Sequence, residues 1–326
     1  MASDRPRAFV TRRLPGDALE RLAAAAEVEV WPGRLPPPPE ELARHAADAD
    51  GLLVMLTDRV DAALLDRCPR LRVVANMAVG YDNLDVEALT ARGIPAGNTP
   101  GVLTGSTAEL TWALILATAR RLAEAERAVH RGEWVTWEPD FMLGHDLAGA
   151  TLGIVGFGQI GAAVARRARC FDMRVLAWTR RPKPVEEVTW VSLDELLASS
   201  DVVSVHCALT PETRGLIGAR ALALMKPTAV LVNTARGPIV DQAALAGALR
   251  ERRIFAAGLD VFEREPIAPD DPLLSLDNCL VLPHIGSATV ATRARMAAMA
   301  ADNVLAGLRG ERLPNCVNPQ VYERAR

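Results

Sequence analysis

Residues 151–168 constrain the fold of this chain more than any other part of its sequence. An apolar strand pattern runs into the glycine pattern Gly156-x-Gly158-x-x-Gly161, and an alanine-rich helical pattern follows it. A second apolar run at residues 173–178 completes a strand–helix–strand unit of about 30 residues. A glycine-rich turn between a strand and a helix in a unit of this size predicts a dinucleotide-binding site.

Each glycine of this pattern has its own physical role. Gly156 allows the tight turn, Gly158 lets the backbone approach a pyrophosphate, and Gly161 lets the helix pack closely on the strand. Gln159 and Ile160 lie where the helix begins. The free N–H groups and the positive dipole end of that helix would then face the phosphates.

The composition of the chain excludes several classes of partner. Its 326 residues carry a net charge of −3, so no basic surface argues for nucleic acid or an anionic membrane as a partner. No apolar run approaches the ~18 residues that would span a bilayer, and no apolar stretch typical of a secretory signal is present near the N-terminus. The five cysteines are scattered, without a CxxC pair or a histidine at ligand spacing. We therefore expect a reduced, cytoplasmic protein without a metal site.

Residues 7–97 alternate between strand and helix patterns. Such alternation predicts one small α/β domain whose parallel sheet carries helices on both faces. The predicted strands are residues 8–11, 28–31, 51–55 and 71–75, and the predicted helices are residues 17–26, 40–47, 61–66 and 85–91.

A second domain is predicted around the glycine-rich unit. Residues 104–131 have one long helical pattern, which we expect to leave the first domain and enter the second. The later pattern again alternates, so the fold class is α/β with two doubly wound parallel-sheet domains. Strands are predicted at residues 201–206, 229–233, 256–261 and 279–282, and helices at residues 193–198, 219–225, 242–250 and 288–308.

Three reactive side chains follow predicted strands of the second domain. Arg236, Glu265 and His284 come after the strands that end near residues 233, 261 and 282. Ligands of open parallel sheets bind beyond the carboxyl ends of the strands, so these side chains would meet at one rim. An arginine clamps a carboxylate with a bidentate fork, and a histidine beside a carboxylate exchanges protons near neutral pH. This set suits hydride chemistry on a 2-oxo acid.

Each of these residues also has a simpler interpretation. Arg236 could lie on a surface turn, Glu265 could be solvated within its charged stretch, and His284 could cap a turn. Their common position at one rim favours the functional interpretation of the set. His206, which ends another strand, is interpreted as a histidine with satisfied hydrogen bonds rather than as an adenine contact.

The end of the second strand of the glycine-rich unit predicts the choice of cofactor. An NAD site has an acidic residue about 20 residues beyond the glycines, where it binds the ribose 2′-hydroxyl. Here that position is followed by Thr179, Arg180 and Arg181, which suit a 2′-phosphate. The sequence therefore predicts NADP(H) as the preferred cofactor, with NAD(H) possible. The alternative is that the two arginines are solvated loop charges.

Blocks along nearly the whole chain resemble the D-2-hydroxyacid dehydrogenase family. They are Gly156-Phe-Gly-Gln-Ile-Gly161, Asn233-Thr-Ala-Arg-Gly237, Ala257-Gly-Leu-Asp-Val261, Glu265-Pro266 and Pro283-His-Ile-Gly286. Three further blocks are similar to the glyoxylate/hydroxypyruvate reductases of that family: Asn76-Met-Ala-Val-Gly-Tyr-Asp82, Leu282-Pro-His-Ile-Gly-Ser-Ala-Thr289 and Asn303-Val-Leu-Ala-Gly-Leu-Arg-Gly-Glu311.

The resemblance implies a fold and a set of domain boundaries. A Rossmann dinucleotide-binding domain would span residues 101–286. A flavodoxin-like substrate domain would combine residues 1–100 with 287–326. A cleft between the two domains would hold the substrate.

The resemblance also implies roles for residues. Arg236 would bind the carboxylate and carbonyl of a 2-oxo acid, His284 would donate the proton, and Glu265 would pair with His284. The remaining residues would contact substrate or cofactor. Val79, Gly80 and Leu53 would bind substrate, Asp260 would hold the nicotinamide carboxamide, and Thr107, Thr234, Ala235 and Gly286 would line the cofactor.

The function that the resemblance implies is reduction of glyoxylate and hydroxypyruvate by a homodimer. Trp137 is the expected aromatic residue that reaches the substrate site of the neighbouring subunit, and burial in the dimer interface alone is the simpler alternative. Other activities stay open at this point. The chain could be another D-2-hydroxyacid dehydrogenase, could act on phosphoglycerate or phosphite, or could be a nucleotide-sensing, corepressor-like binding protein.

Overall fold

The computed structural model describes residues 5–323, and these residues form two compact units. The first unit combines the described residues up to Leu103 with those from Ser287 onward, and the second unit is Thr104–Gly286. Both units are built from parallel strands and helices, as the alternating sequence pattern predicts.

The bounds of the strands and helices agree with most of the predicted elements. The strands are β1 (Arg7–Val10), β2 (Glu27–Val30), β3 (Gly51–Val54), β4 (Val73–Asn76), β5 (Ala96–Gly97), β6 (Thr151–Val155), β7 (Arg174–Trp178), β8 (Val188–Trp190), β9 (Val202–Val205), β10 (Val230–Asn233), β11 (Ala256–Leu259) and β12 (Cys279–Val281). The helices are α1 (Ala18–Ala25), α2 (Pro39–Ala46), α3 (Ala62–Asp66), α4 (Val86–Ala91), α5 (Thr104–Ala119), α6 (Leu122–His130), α7 (Gln159–Ala168), α8 (Leu193–Ser199), α9 (Ala219–Leu224), α10 (Gln242–Arg250) and α11 (Val290–Leu308).

The first unit has a five-stranded parallel sheet in the order β2-β1-β3-β4-β5. This is the order of flavodoxin-like sheets. The residues of β3 and β4 are all buried, which explains why residues 51–54 and 73–75 are continuous apolar runs rather than alternating ones. Helix α11 packs on these strands so closely that a Cβ atom added at Gly307 would overlap the side chain of Val73.

The segment after α11 completes the first unit, although its sequence shows too little pattern to place it. The backbone N–H of Val317 donates to the carbonyl of Ala96 at 2.8 Å, and that of Asn98 donates to the carbonyl of Asn315 at 3.1 Å. This segment therefore runs antiparallel to β5 and satisfies the backbone groups of that short strand.

The second unit has a seven-stranded parallel sheet in the order β12-β11-β10-β9-β6-β7-β8. Its strand order reverses between β6 and β9, which are hydrogen-bonded neighbours. Ligands of doubly wound sheets bind at such a reversal, beyond the carboxyl ends of the strands. The glycine turn follows β6 directly and therefore lies at this position.

The prediction of one continuous helix over residues 104–131 is wrong. Helix α5 ends at Ala119, Arg121 has a left-handed backbone with φ of 54°, and α6 begins at Leu122. The reason is a tertiary contact, because the N–H of His145 donates to the carbonyl of Ala119 at 2.9 Å. The chain passes so close there that a Cβ atom at Gly144 would overlap the same carbonyl.

Candidate active site

The glycine turn after β6 leaves one open approach to its backbone. Gly156 has φ of 96°, and a Cβ atom there would overlap the backbone of Cys207. A Cβ atom at Gly161 would overlap the carbonyl of Gly156, so the start of α7 packs tightly on the turn. At Gly158, in contrast, a Cβ atom would meet nothing within 4 Å. The close approaches at Gly156 and Gly161 fit their predicted roles, and Gly158 leaves the backbone open where the pyrophosphate is predicted to bind.

The N-terminus of α7 fits an anionic group. Gln159 is the first helical residue and Gly158 is the N-cap, and no side chain of the described residues caps the helix there. The first turn, which includes the half-buried Ile160, contains no acidic residue. The first N–H groups of the helix and its positive dipole end are thus available to a phosphate.

Thr179, Arg180 and Arg181 follow β7 at the same rim. Both arginines are exposed, and neither forms an ion pair with a carboxylate of residues 5–323. A hydrogen bond with Thr210 lowers the pKa of Glu212, and the charge of Arg180 adds to this shift. Arg180 therefore lies near the loop that follows β9, on the side where the strand order reverses.

Glu265 and His284 form a hydrogen-bonded pair. Nδ1 of His284 lies 2.6 Å from Oε2 of Glu265, and the two side chains are 25% and 27% exposed. Burial raises the pKa of Glu265, but the hydrogen bond and charge of His284, the N–H of Phe262 and the charge of Arg236 outweigh it. The pKa of Glu265 consequently lies below its ordinary value, and the carboxylate is ionised at neutral pH.

Asp260 holds the backbone directly after His284. Its two carboxylate oxygens accept hydrogen bonds from the N–H groups of Ile285 at 2.7 Å and Gly286 at 2.8 Å. Burial of this side chain raises its pKa, and these two hydrogen bonds act in the opposite direction. His284 itself has a left-handed backbone with φ of 56°, so Asp260 stabilises an otherwise unfavourable conformation. The sequence did not indicate this role.

Arg236 is brought toward Glu265 by a close approach of two loops. A Cβ atom at Gly237 would overlap the backbone of Phe262, so only glycine fits there. The side chain of Asn233 accepts from the N–H of Ala235 at 3.0 Å and donates to the carbonyl of Arg236 at 2.9 Å. The turn that carries the guanidinium is therefore fixed from within, and its charge acts on the Glu265 carboxylate.

Thr107 and Thr234, two of the other predicted cofactor residues, contribute hydroxyl groups to a buried cluster. The hydroxyl of Thr107 donates to the carbonyl of Gly286 at 3.2 Å, and the hydroxyl oxygens of Thr111 and Thr234 lie 2.9 Å apart. Thr111 was not predicted, because a threonine inside a helix has no distinguishing sequence signal. The cluster connects α5 with the loops after β10 and β12.

The predicted substrate residues of the first unit have different positions. Val79 and Gly80 are partly exposed in the loop after β4. Leu53 is only 1% exposed within β3, so its side chain is not accessible to a substrate and we no longer assign it to the site. Met55, just beyond the end of the same strand, is partly exposed. The prediction for Leu53 failed because the apolar run does not reveal where the strand leaves the core.

Trp137 lies in an exposed segment that follows α6. Residues 131–141 are exposed throughout, and the side chain of Trp137 is 79% exposed. Trp134, Val135 and Leu143 add further exposed apolar surface to this segment. Several large apolar side chains are therefore exposed to solvent along one short segment.

Two classes of feature are not found in the described part of the chain. Residues 5–323 contain no cluster of three or more histidine, cysteine, aspartate or glutamate side chains that could hold a metal ion. They also contain no helix with the length and apolar character needed to cross a bilayer.

A cleft of about 1440 Å³ follows the edge formed by β7 and β8, and none of the three reactive side chains lines it.

Residues 112–286 match the family model of the D-isomer specific 2-hydroxyacid dehydrogenase, NAD binding domain. A glyoxylate reductase of Aeropyrum pernix is 52% identical over 327 residues, which cover 98% of each chain. A glyoxylate reductase of Korarchaeum cryptofilum is 51% identical over 324 residues, again 98% of each chain.

Solved structures extend the similarity to the fold. A protein from Thermus thermophilus has a TM-score of 0.91 and 49% identity, with 95% of this chain and 99% of that one covered. An NADPH-dependent glyoxylate/hydroxypyruvate reductase from Sinorhizobium meliloti, in complex with NADP and malonate, has a TM-score of 0.87 and 36% identity. The matched regions cover 97% of this chain and 98% of that protein.

Proposed function

Because this chain belongs to the D-isomer specific 2-hydroxyacid dehydrogenase family, we propose that it reduces small 2-oxo acids with a nicotinamide cofactor. Glyoxylate would give glycolate, and hydroxypyruvate would give D-glycerate. The observation that carries this proposal is the hydrogen-bonded pair of Glu265 and His284. It lies on the same sheet, and at the same strand ends, as a glycine turn suited to a dinucleotide.

His284 supplies the proton in this reaction. A reduced nicotinamide, held at the glycine turn after β6, would supply the hydride for C2 of the substrate. Nδ1 of His284 is engaged by Glu265, so Nε2 is the ring nitrogen left to donate a proton to the carbonyl oxygen. The carbonyl thus gains one hydride and one proton and becomes a hydroxyl, and the Glu265 carboxylate stabilises the imidazolium before transfer.

Arg236 and the Val79–Gly80 loop bind the substrate carboxylate in this proposal. A guanidinium pairs with a carboxylate through two parallel hydrogen bonds and also polarises the neighbouring carbonyl. The backbone N–H groups of Val79 and Gly80 add donors of fixed direction. Neutralising the carboxylate in this way favours hydride arrival at the adjacent carbon.

The residues after β7 support NADP(H) as the preferred cofactor. The 2′-phosphate would lie between Thr179 and the exposed guanidinium groups of Arg180 and Arg181. No acidic residue stands there to bind a ribose 2′-hydroxyl. NAD(H) would bind through the same glycine turn but without these contacts, and therefore more weakly.

The exposed segment after α6 supports a homodimer. Burial of Trp134, Val135 and Trp137 against a second copy would remove a large apolar surface from water. In the same arrangement, Trp137 would reach the substrate site of the partner copy.

A cytoplasmic location is consistent with the five free cysteines, of which Cys170 is exposed.

One assay tests the proposed activity. Purified protein is mixed with NADPH or NADH and with glyoxylate, hydroxypyruvate or pyruvate, and the loss of reduced nicotinamide absorbance is followed. We expect turnover with glyoxylate and hydroxypyruvate, faster with NADPH. A protein that binds NADPH but reduces none of the three acids would be a nucleotide-sensing binding protein instead.

A further inference from the structure

Two successive carbonyl groups in the loop after β4 are held by the segment that follows β5. The carbonyl of Ala78 accepts a hydrogen bond from the backbone N–H of Thr99 at 2.9 Å. The carbonyl of Val79 accepts a hydrogen bond from the side-chain amide of Asn98 at 2.8 Å. Both carbonyls therefore point toward residues 98 and 99.

A third carbonyl of the same loop is held by a different side chain. The buried amide of Asn76, at the end of β4, donates to the carbonyl of Gly80 at 2.9 Å and to the side chain of Asn83 at 3.0 Å. Asn83 in turn donates to the carbonyl of Met55 at 3.0 Å. The loop is thus fixed at both ends by asparagine side chains.

The held carbonyls determine where the N–H groups of the loop point. In a planar trans peptide, the C=O of one residue and the N–H of the next point in opposite directions. The N–H groups of Val79 and Gly80 are therefore directed away from residues 98 and 99. Neither of them donates to an acceptor in the described part of the chain. Two adjacent N–H groups exposed in this way form a small anion-binding concavity.

We infer that Asn98 is a positioning residue for the substrate carboxylate. This inference rests on the proposed function, because it assigns the Val79–Gly80 N–H groups to that carboxylate. The Asn98 amide holds the Val79 carbonyl and so orients the N–H of Gly80, whereas the carbonyl that Asn76 holds shares its peptide plane with the N–H of Tyr81. The Asn98 amide is assigned no contact with the substrate, so it acts only through the backbone of the loop.

The backbone of Asn98 is itself anchored by the buried Asn303 and by Asn315 of the first unit. Its carbonyl accepts from the side-chain amide of Asn303 at 3.0 Å, and its N–H donates to the carbonyl of Asn315 at 3.1 Å. The N–H of Asn315 donates back to Asn303 at 3.1 Å. Helix α11 and the segment after it consequently fix the position from which the Asn98 amide reaches Val79.

Residue 98 must supply a hydrogen-bond donor to the Val79 carbonyl. An alanine removes the donor and releases the Val79 carbonyl. An aspartate keeps the shape, but its carboxylate repels that carbonyl and adds a negative charge near a bound anion. Asn98→Ala and Asn98→Asp should therefore both weaken carboxylate binding, and Asn98→Asp should weaken it more.

The test titrates oxalate, an unreactive dicarboxylate of substrate size, into the protein with bound NADPH. We expect the Kd of oxalate to rise about tenfold in Asn98→Ala, with the Kd of NADPH unchanged. Under turnover, the same variant should show a raised KM for glyoxylate with a smaller change in kcat. If the alanine variant fails to fold, the Kd of oxalate is compared between the wild type and Asn98→Asp, which keeps the side-chain size.

Asn278→Ala is the matched control. Asn278 is buried in the second unit and also holds two backbone carbonyls, those of Leu249 at 3.2 Å and Phe255 at 3.1 Å. Its loss should lower the free energy of unfolding without changing the Kd of oxalate. Equal oxalate affinity in wild type and Asn98→Ala, or no oxalate binding to the wild type, would overturn the inference. Wild-type turnover tests the proposed function separately.

Discussion

Nδ1 of His284 lies 2.6 Å from Oε2 of Glu265, although 19 residues separate the two along the chain. The contact forms because parallel strands β11 and β12 deliver the following loops to one rim of the sheet. Asp260 fixes the backbone on the other side of the imidazole through Ile285 and Gly286. Two sets of contacts therefore orient the imidazole: Glu265 holds its Nδ1, and Asp260 holds the backbone that follows it.

His284→Ala should abolish most turnover and leave cofactor binding intact. The imidazole is the proposed proton donor, and general acid catalysis contributes about 100- to 10,000-fold to rates. The measurement is kcat with glyoxylate and NADPH, together with the Kd of NADPH from nucleotide fluorescence. His130→Ala is the control, because His130 is an exposed histidine on α6. Wild-type kcat in His284→Ala would remove the histidine from the mechanism.

Glu265→Gln should lower kcat by at least about tenfold, because the amide keeps a hydrogen-bond acceptor but loses the charge that stabilises an imidazolium.

The pair of Glu265 and His284 also affects the stability of the fold. Since the pKa of Glu265 is lowered from 4.5, its stabilising contribution is complete above about pH 4.5 and is lost as the pH falls through the lowered value. Urea unfolding of wild type and variant should therefore differ at about pH 7 and converge at strongly acidic pH. A constant difference across that range would contradict the assignment.

The sequence predicts the nucleotide unit well because its signals are local. The glycine turn, the strand ends and the positions of Arg236, Glu265 and His284 all follow from spacing along the chain. The break at Arg121 could not be predicted, because it depends on the N–H of His145 reaching a carbonyl 26 residues away. Such tertiary hydrogen bonds override helix propensity and leave no local pattern.

The substrate loop shows the same limit. Val79 and Gly80 are identified by resemblance, yet the side chains that hold the carbonyls of their loop, Asn76 and Asn98, lie at the ends of two strands. An asparagine after a strand ordinarily indicates a turn, so sequence alone does not distinguish these two from turn residues. Their role depends on which carbonyl each amide reaches, and only the folded backbone determines that.

Arg180→Ala and Arg181→Ala should shift cofactor preference toward NADH. Each substitution removes a charge-assisted partner of the 2′-phosphate, and we expect KM for NADPH to rise about tenfold while KM for NADH stays unchanged. Arg220→Ala is the control, because Arg220 is also exposed but pairs with Asp194. An equal change in KM for both cofactors would mean that these arginines do not read the phosphate.

Trp137→Ser combined with Trp134→Ser should convert a dimer into a monomer. The two indoles lie in the exposed apolar segment after α6, and truncating an aromatic anchor of an interface commonly costs about 2 kcal/mol or more. Sedimentation velocity of wild type and variant at equal concentration measures the change. Val290→Ser, which alters an exposed apolar residue outside that segment, should leave the mass unchanged. A dimeric double variant would place the interface elsewhere.

His206 predicts how stability depends on mildly acidic pH. Burial lowers its pKa from 6.5 to about 3, and its Nε2 lies 2.8 Å from the hydroxyl of Ser204. The unfolded chain therefore takes up a proton below about pH 6.5 that the folded chain does not, so the free energy of unfolding falls as the pH drops. One unit below that value the loss is about 1.4 kcal/mol, and His206→Gln should abolish it.

Urea unfolding of the cofactor-free protein at about pH 7.5 and about pH 5.5 measures this difference directly. His206→Gln should lose less stability between the two values than the wild type does, because its amide accepts the Ser204 hydrogen bond without titrating. His130→Gln serves as the matched control, since His130 is exposed and pairs with Glu126 on its own helix. Equal losses of stability in wild type and His206→Gln would contradict this prediction, because they would mean that His206 is protonated in the folded chain. The end of β9, where we propose that the nucleotide binds, would then carry a positive charge instead of a neutral ring.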